Sequence, residues 1–362
     1  MPAKALILWL LLLSPFATFA RFAISGKVLY SGDQKPIPGA TVFLSNASSV
    51  TTTDKNGAFT ISDVSNGQYV LVVSLVGYNT FYQTVAINNN LALSNILVTA
   101  KGRSNNVDTQ DSVWMENYEA FKAEFLGRGE YARDCKIINP EVIKLRYDKR
   151  SALLIGSSTD FIIIENKALG YRIKYLLSDF RKDFVQKRLY FSGAAYFENL
   201  PGNSSLQAEW KTNRLNVYLG SSMHFLRSLL VNQLSANGFA VRPAIVQASS
   251  TYKDETLLGK KYSATLVNSL LNPSEFMKPT TDSTLHALIF DDALYVTYSN
   301  VPVKDTTFNR LAPATVVFLN KRYAAFDNNG ILTDPSAVTF DGVWGQSHLS
   351  EMLPVDYEPT KK

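Results

Sequence analysis

The sequence predicts a mainly β, α+β chain in which an N-terminal β-sandwich is followed by an α+β domain. Two patterns carry that prediction. Residues 22–98 break into short alternating runs, separated about every ten residues by Gly, Pro, Asn and Asp clusters, the rhythm of an all-β sandwich. After a polar connection at 101–111, stripes with helical spacing mix with period-two strands, the pattern of an α+β fold.

Ahead of the sandwich, "MPAKALILWLLLLSPFATFA" has one Lys, an apolar run, and small residues at Thr18 and Ala20. This is the layout of a secretory signal peptide at residues 1–20, cleaved after Ala20. The apolar run from Ala5 stops at Ser14-Pro15, short of the ~20 residues a spanning helix needs. No Cys follows it to take a lipid. The expectation is export to the periplasm, the outer-membrane surface or the medium, with no transmembrane span in the mature chain.

Apolar residues fill 46% of the 362 positions, enough for folded cores, and the length fits two domains or more. Cys135 is the only cysteine, so no intrachain disulfide can form even at an oxidising address. In "YARDCKII" it reads as a small buried hydrophobe. The net charge of +5 is uneven: residues 121–190 hold 15 basic and 9 acidic side chains, against 14 and 15 in residues 191–362. A basic, aromatic segment such as "GYRIKYLLSDFRKDFVQKRLYF" is also a nucleic-acid signature, which export argues against. Alternation of Tyr171, Ile173, Tyr175 and Leu177 with Arg172 and Lys174 gives strands with one wet basic face. Tyr171, Arg172, Lys174 and Tyr175 are the candidate binding surface. Its expected partner is an anionic polysaccharide or an envelope protein, and not nucleic acid.

Within the sandwich, "FAISGKVLY" alternates up to the turn "SGDQKPIPG", and "ATVFLS" and "SVTTT" follow. "DKNG" leads to "AFTI", "SNG" to "QYVLVVSLV", and Gly77 to "NTFYQTVAI". In "TTTDKNGAF", Asp54, Asn56 and Gly57 begin like a calcium loop. Such a loop carries oxygen ligands through to a Glu at its twelfth position. Here Ala58, Phe59, Thr60 and Ile61 must serve a strand, and the twelfth position is Ser65. The stretch is therefore a hairpin, in which Asn and Gly accept positive φ and the Asp carboxylate bonds nearby backbone.

"ISGKV", "PIPGATV", "TTTDKNGAF" and "GQYVLVVSLVGY" occur in that order. Together they resemble the carboxypeptidase regulatory-like domain, which implies a transthyretin-like, seven-stranded β-sandwich at residues 22–100. The resemblance also implies a non-catalytic spacer or accessory module. Each block has its own physical reason. Pro38-Gly39 turns the chain into Ala40–Leu44, Phe59 and Tyr69 alternate into the core, and Gly77 bends the chain while Tyr78 fills the sandwich end.

The domain's name invites a search for a peptidase. "HLSE" at 348–351 matches the H-x-x-E pair of zinc carboxypeptidases, but His224 and His286 lie upstream of it, the wrong order for a third ligand. The pair is assigned to a short surface helix. "STYK" at 250–253 matches S-x-x-K without the partner motifs S-D-N and K-T-G. Asp291 and Asp292 would point to opposite faces of a strand and read as a turn. No catalytic residue, metal ligand or cofactor site is assigned.

In the second domain, residues 112–358, "VWMENYEAFKAEFLGRG" places Trp114, Tyr118, Phe121 and Phe125 on one helical stripe between a Ser112 cap and Gly127. Strands follow in "VIKLRYD", "ALLIGSS", "FIIIENKALGYRIKYLLSDF" and "VQKRLYFSGAAYFENL". "SSMHFLRSLLVNQLSANGF" is a second helix, capped by Ser221 or Ser222, with His224 and Arg227 on a solvated face. Strands return in "ALIFDDALYVTYS" and "ATVVFLNKRYAAFDNNGILTD". Such helices do not suit an outer-membrane barrel. The blocks "FKAEFLGRGEYARDCKIINPEVIKLRYD", "IIENKALGYRIKYLLSDF", "YLGSSMHFLRSLL" and "MLPVDYEP" are similar to those of exported Gram-negative proteins of unknown function that carry the regulatory-like domain in front. The expected function is non-catalytic binding or scaffolding at the cell envelope. One alternative is a hydrolase or glycan-processing enzyme with its site in 112–355, whose two carboxylates would leave no local signature. Another is an accessory partner of an outer-membrane receptor.

Overall fold

The computed structural model describes residues 21–101, 112–248, 262–299 and 314–359. The expected signal peptide, most of the 101–111 connection and "STYK" lie outside the described residues.

Alternation builds the sandwich. Its strands are β1 (Arg21–Tyr30), β2 (Thr41–Leu44), β3 (Val50–Thr52), β4 (Ala58–Ser65), β5 (Gly67–Ser74), β6 (Phe81–Ile87), β7 (Leu91–Ala92) and β8 (Ile96–Val98). One sheet runs β4–β1–β7, with β8 further along β1, and the other runs β3–β2–β5–β6. β7 and β8 both run parallel to β1, so they form one interrupted strand and the total is seven. On β4, Phe59, Ile61 and Val64 are buried while Ala58, Thr60 and Ser62 face water. They meet Ile24, Val28, Val42, Leu71 and Ile87 in the core. Tyr78 packs edge-on against Tyr30 at 6.0 Å, closing one end. "DKNG" is a turn: Asp54 Oδ1 accepts the amides of Asn56 and Ala58, both at 2.8 Å. Gly57 has φ +72°, and a Cβ there would stand 2.4 Å from the Val28 carbonyl oxygen.

The α+β region contains two large apolar clusters. In the first, α1 (Ser112–Leu126) lies on a six-stranded sheet made of β9 (Cys135–Ile137), β10 (Ile143–Asp148), β11 (Leu153–Ser158), β12 (Ile162–Asn166), β13 (Tyr171–Asp183) and β14 (Arg188–Asn199). The long β13 is the centre: β14 pairs along one edge, and β12 and β11 share the other. The helical stripe works as its spacing predicts. Phe121 meets Phe180 at 4.7 Å, and Phe125 meets Tyr175 at 5.3 Å.

The helices α2 (Ser204–Tyr218) and α3 (Ser222–Leu230) lead to the second cluster. Its strands are β15 (Phe239–Ala248), β16 (Tyr262–Leu266), β17 (Met277–Pro279), β18 (Leu285–Leu288), β19 (Ala293–Tyr298), β20 (Ala314–Leu319), β21 (Ala324–Asp327) and β22 (Val338–Gly342). They form a five-stranded sheet, β16–β15–β19–β20–β22, and a small sheet, β17–β18–β21. Phe225, Leu229, Phe239, Val296, Phe326 and Trp344 fill the space against α3. Ser221 caps α3, its side chain accepting from the His224 amide at 3.1 Å. Asp291 and Asp292 lie exposed in the turn between β18 and β19. Neither α2 nor β15 stands out in the sequence. α2 buries only Trp210 and Tyr218, and β15 carries Pro243 within its pairing with β19.

Candidate functional site

The candidate surface divides by strand face. Tyr171 and Tyr175 are each only 4% exposed and lie within the apolar core that α1 covers, so the structure corrects their assignment to a surface. Alternation along β13 sends them inward with Ile173. The Arg214 guanidinium caps the Tyr171 ring at 3.7 Å. Arg172 and Lys174 face the other side, where each meets a carboxylate. Arg172 donates to Glu165 at 2.7 Å and Lys174 to Glu198 at 2.9 Å. Cross-strand register explains this, because Arg172 stands between Glu165 on β12 and Glu198 on β14. The strip is charge-compensated. Farther along the same face, Leu176 and Ala194 pack with Tyr196 on Phe43 and Val72 of the sandwich.

His224 and Arg227 are not a solvated pair. His224 is buried, its Nδ1 accepts the Gly220 amide at 3.1 Å, and burial pushes its imidazole down to about 4. Arg227 spends its guanidinium on backbone. Nε donates to the Asn329 carbonyl at 2.8 Å, and Nη1 and Nη2 donate to those of Tyr357 and Val355, both at 2.7 Å.

Those contacts belong to a joint that ties the three apolar cores together. The sandwich loop Ser45–Ser49 enters between β14 and the last described segment. The Asn46 amide donates to Ala195 O at 2.6 Å, and Phe197 N donates to Ala47 O at 3.1 Å. On its other side, Val355 N donates to Asn46 O at 2.7 Å, and Asp356 accepts from the Ser48 amide at 3.0 Å and from its hydroxyl. Val355 completes the sandwich core. Asn46 holds φ +61°, a conformation open to Asn at low cost. Arg227 of α3 thus holds Val355 and Tyr357, and Asn166 at the end of β12 donates to Ser350 O at 2.8 Å a few residues before them.

Beside the joint is a cavity of about 380 Å³ lined by all three parts. Tyr175, Tyr190 and Phe191 supply rings, and Gln68, Thr84, Ser192 and Thr333 supply neutral polar groups. Its one carboxylate, Asp327, is pushed up by burial and is already committed. Oδ1 accepts the amides of Asn329 and Ile331 at 3.0 and 2.9 Å, and Oδ2 accepts Asn329 Nδ2 at 3.0 Å. Among the described residues no Lys or Arg lines the space. The arrangement can stack and hydrogen-bond a ligand, but it offers no acid–base pair.

"HLSE" is a 3-10 turn, not a surface helix. The His348 side chain packs on Gly127, and burial pushes the imidazole down. Glu351 faces a different cavity. Among the described residues no group of three or more His, Cys, Asp or Glu is placed to hold a metal ion. Among them, too, no helix is long and apolar enough to cross a membrane. Cys135 is partly buried, its thiol donates to Tyr131 O at 3.4 Å, and burial pushes it up to about 12.

Residues 24–108 match the family model of the CarboxypepD_reg-like domain. None of the curated proteins matches the chain. Among solved structures, a type II cohesin–X-dockerin complex from Acetivibrio cellulolyticus is 28% identical over 22% of this chain and 58% of that chain, with a TM-score of 0.20. The group B streptococcus pilus 2b backbone protein is 20% identical over 22% and 41%, with a TM-score of 0.19. The shaft pilin SpaA from Lactobacillus rhamnosus GG is 16% identical over 24% and 50%, with a TM-score of 0.20. The chain thus spans between four- and six-tenths of the length of these chains.

Proposed function

We propose that this chain is an exported, non-catalytic binding or scaffolding protein of a bacterial cell envelope. The observation that supports the reading is the joint at Ser45–Ser49. A tethered accessory module would leave its loops free, whereas this loop is hydrogen-bonded on both sides, to β14 and to the segment after Leu353. The regulatory-like domain is thereby held in fixed relation to two further cores, and a fixed relation is what a scaffold must supply. An envelope protein is the better-supported partner, because Arg172 and Lys174 are already paired and leave little field for an anionic polymer. The test is fractionation of the full chain expressed in a Gram-negative host. Mature protein beginning at Arg21 and retained with envelopes supports the reading; cytosolic protein that keeps residues 1–20 overturns it.

A further inference from the structure

A second cleft, separate from the three-part cavity, opens where the end of α2 meets β19 and the turns that follow β22. Its volume is about 240 Å³. Pockets that enclose whole small molecules run from ~300 to 1,000 Å³, so this one suits a single side chain or a small amine. Tyr131, Phe239, Tyr298 and Trp344 line it with aromatic rings. The Trp344 indole N–H is spent on Gly220 O at 2.7 Å, so that ring offers its apolar surface. One carboxylate is present, that of Glu351. Burial pushes it up, and a hydrogen bond with the Ser347 side chain offsets part of that rise. Among the described residues no Lys or Arg lies at ion-pair distance from Glu351, whereas Glu165, Glu198 and the doubly engaged Glu124 all have cationic partners. A half-buried carboxylate facing a cleft without a cation is a place where a positive group is favoured.

We infer that this cleft binds an alkylammonium group, with Glu351 as its counter-ion and the aromatic rings packed around its methylenes. Both halves of the lining select for it. The rings favour an apolar stem carrying a positive end, and the carboxylate penalises a neutral head group. A lysine side chain of a partner protein and a free amine present the same chemistry.

The test titrates residues 21–362 with n-butylammonium, with N-acetyl-lysine amide and with neutral 1-pentanol, following Trp fluorescence and calorimetry. The ammonium probes should bind at least about tenfold more tightly than 1-pentanol, and Glu351→Gln should abolish that preference without changing 1-pentanol binding. Binding of the lysine amide alone identifies a protein side chain as the ligand, and binding of butylammonium alone identifies a free amine. Equal affinity for 1-pentanol, no binding by either ammonium probe, or an undiminished preference in Glu351→Gln would overturn the assignment. Should the variant fail to fold, the comparison of charged and neutral probes on the wild type decides alone.

Discussion

Replacing Arg227 with Met should loosen the joint. Met keeps most of the stem's volume and removes the guanidinium, leaving the carbonyls of Asn329, Val355 and Tyr357 without their donor. An unsatisfied buried acceptor costs about 1–3 kcal/mol, so three bound a loss of about 3–9 kcal/mol. The three are neighbours and water can reach Tyr357, so their costs do not add fully, and about 3–5 kcal/mol is expected. Arg227→Lys should recover less than half of the loss. One ammonium is a point donor, and the three carbonyls, one at Asn329 and two on the Val355–Tyr357 segment, are spanned by a planar fork. The assay is urea unfolding followed by Trp fluorescence, with hydrogen exchange at Val355, whose amide bonds Asn46 O. Exchange there should accelerate in Arg227→Met even where β13 stays protected. A Met variant within about 0.5 kcal/mol of wild type, with unchanged exchange at Val355, would refute the reasoning.

Gly57→Val should destabilise the sandwich by more than about 1 kcal/mol, because φ +72° and the Val28 carbonyl both exclude a branched side chain. Asp54→Ala should cost about 1 kcal/mol through two lost hydrogen bonds. Calcium should shift the Tm of neither Asp54→Ala nor wild type. Cys135, with its thiol near 12, should alkylate with iodoacetamide at pH 8 about a hundredfold or more slowly than a free thiol; a normal rate in folded protein would contradict the burial. His224 stays neutral down to about 4 in the folded chain, against 6.5 ordinarily, while the unfolded chain takes up its proton. Its stabilising contribution is therefore full above pH 6.5 and is lost as pH falls toward 4. The ceiling is about 3 kcal/mol, reduced to about 1–2 by hydration at the ring edge. Denaturation at stepped pH should show a shallower slope in His224→Gln, with a remainder from His286 and His348, whose imidazoles burial also pushes down.

What the sequence disclosed was local. The "DKNG" turn, the Phe59 alternation and the aromatic stripe of α1 each reside in a few consecutive residues, where backbone sterics and burial act together. α2 offered only Asn203 as a cap, accepting from Leu206 N at 3.0 Å, and two buried rings; a helix so polar has no apolar stripe to announce it. β15 hid behind Pro243, which ordinarily demotes a strand. In "YRIKY" the alternation already separated Tyr171 and Tyr175 from Arg172 and Lys174. The neutralising glutamates could be found only through strand register, which a sequence does not state. The joint was illegible for a related reason. Arg227 meets Val355 and Tyr357 across more than a hundred residues through main-chain carbonyls, and every residue type has one. Glu351 was noticed as half of an H-x-x-E pair. Its cleft comes from α2, β19 and the turns after β22 folding together.

The most direct measurement of the binding and scaffolding account uses one preparation for two readouts. Isolated, isotopically labelled bacterial envelopes are titrated with residues 21–362, and bound protein and released soluble label are counted in the same tubes. The account predicts saturable binding and no release beyond that of envelopes alone. Release that grows with time to many molecules per protein chain would contradict it and establish an enzyme.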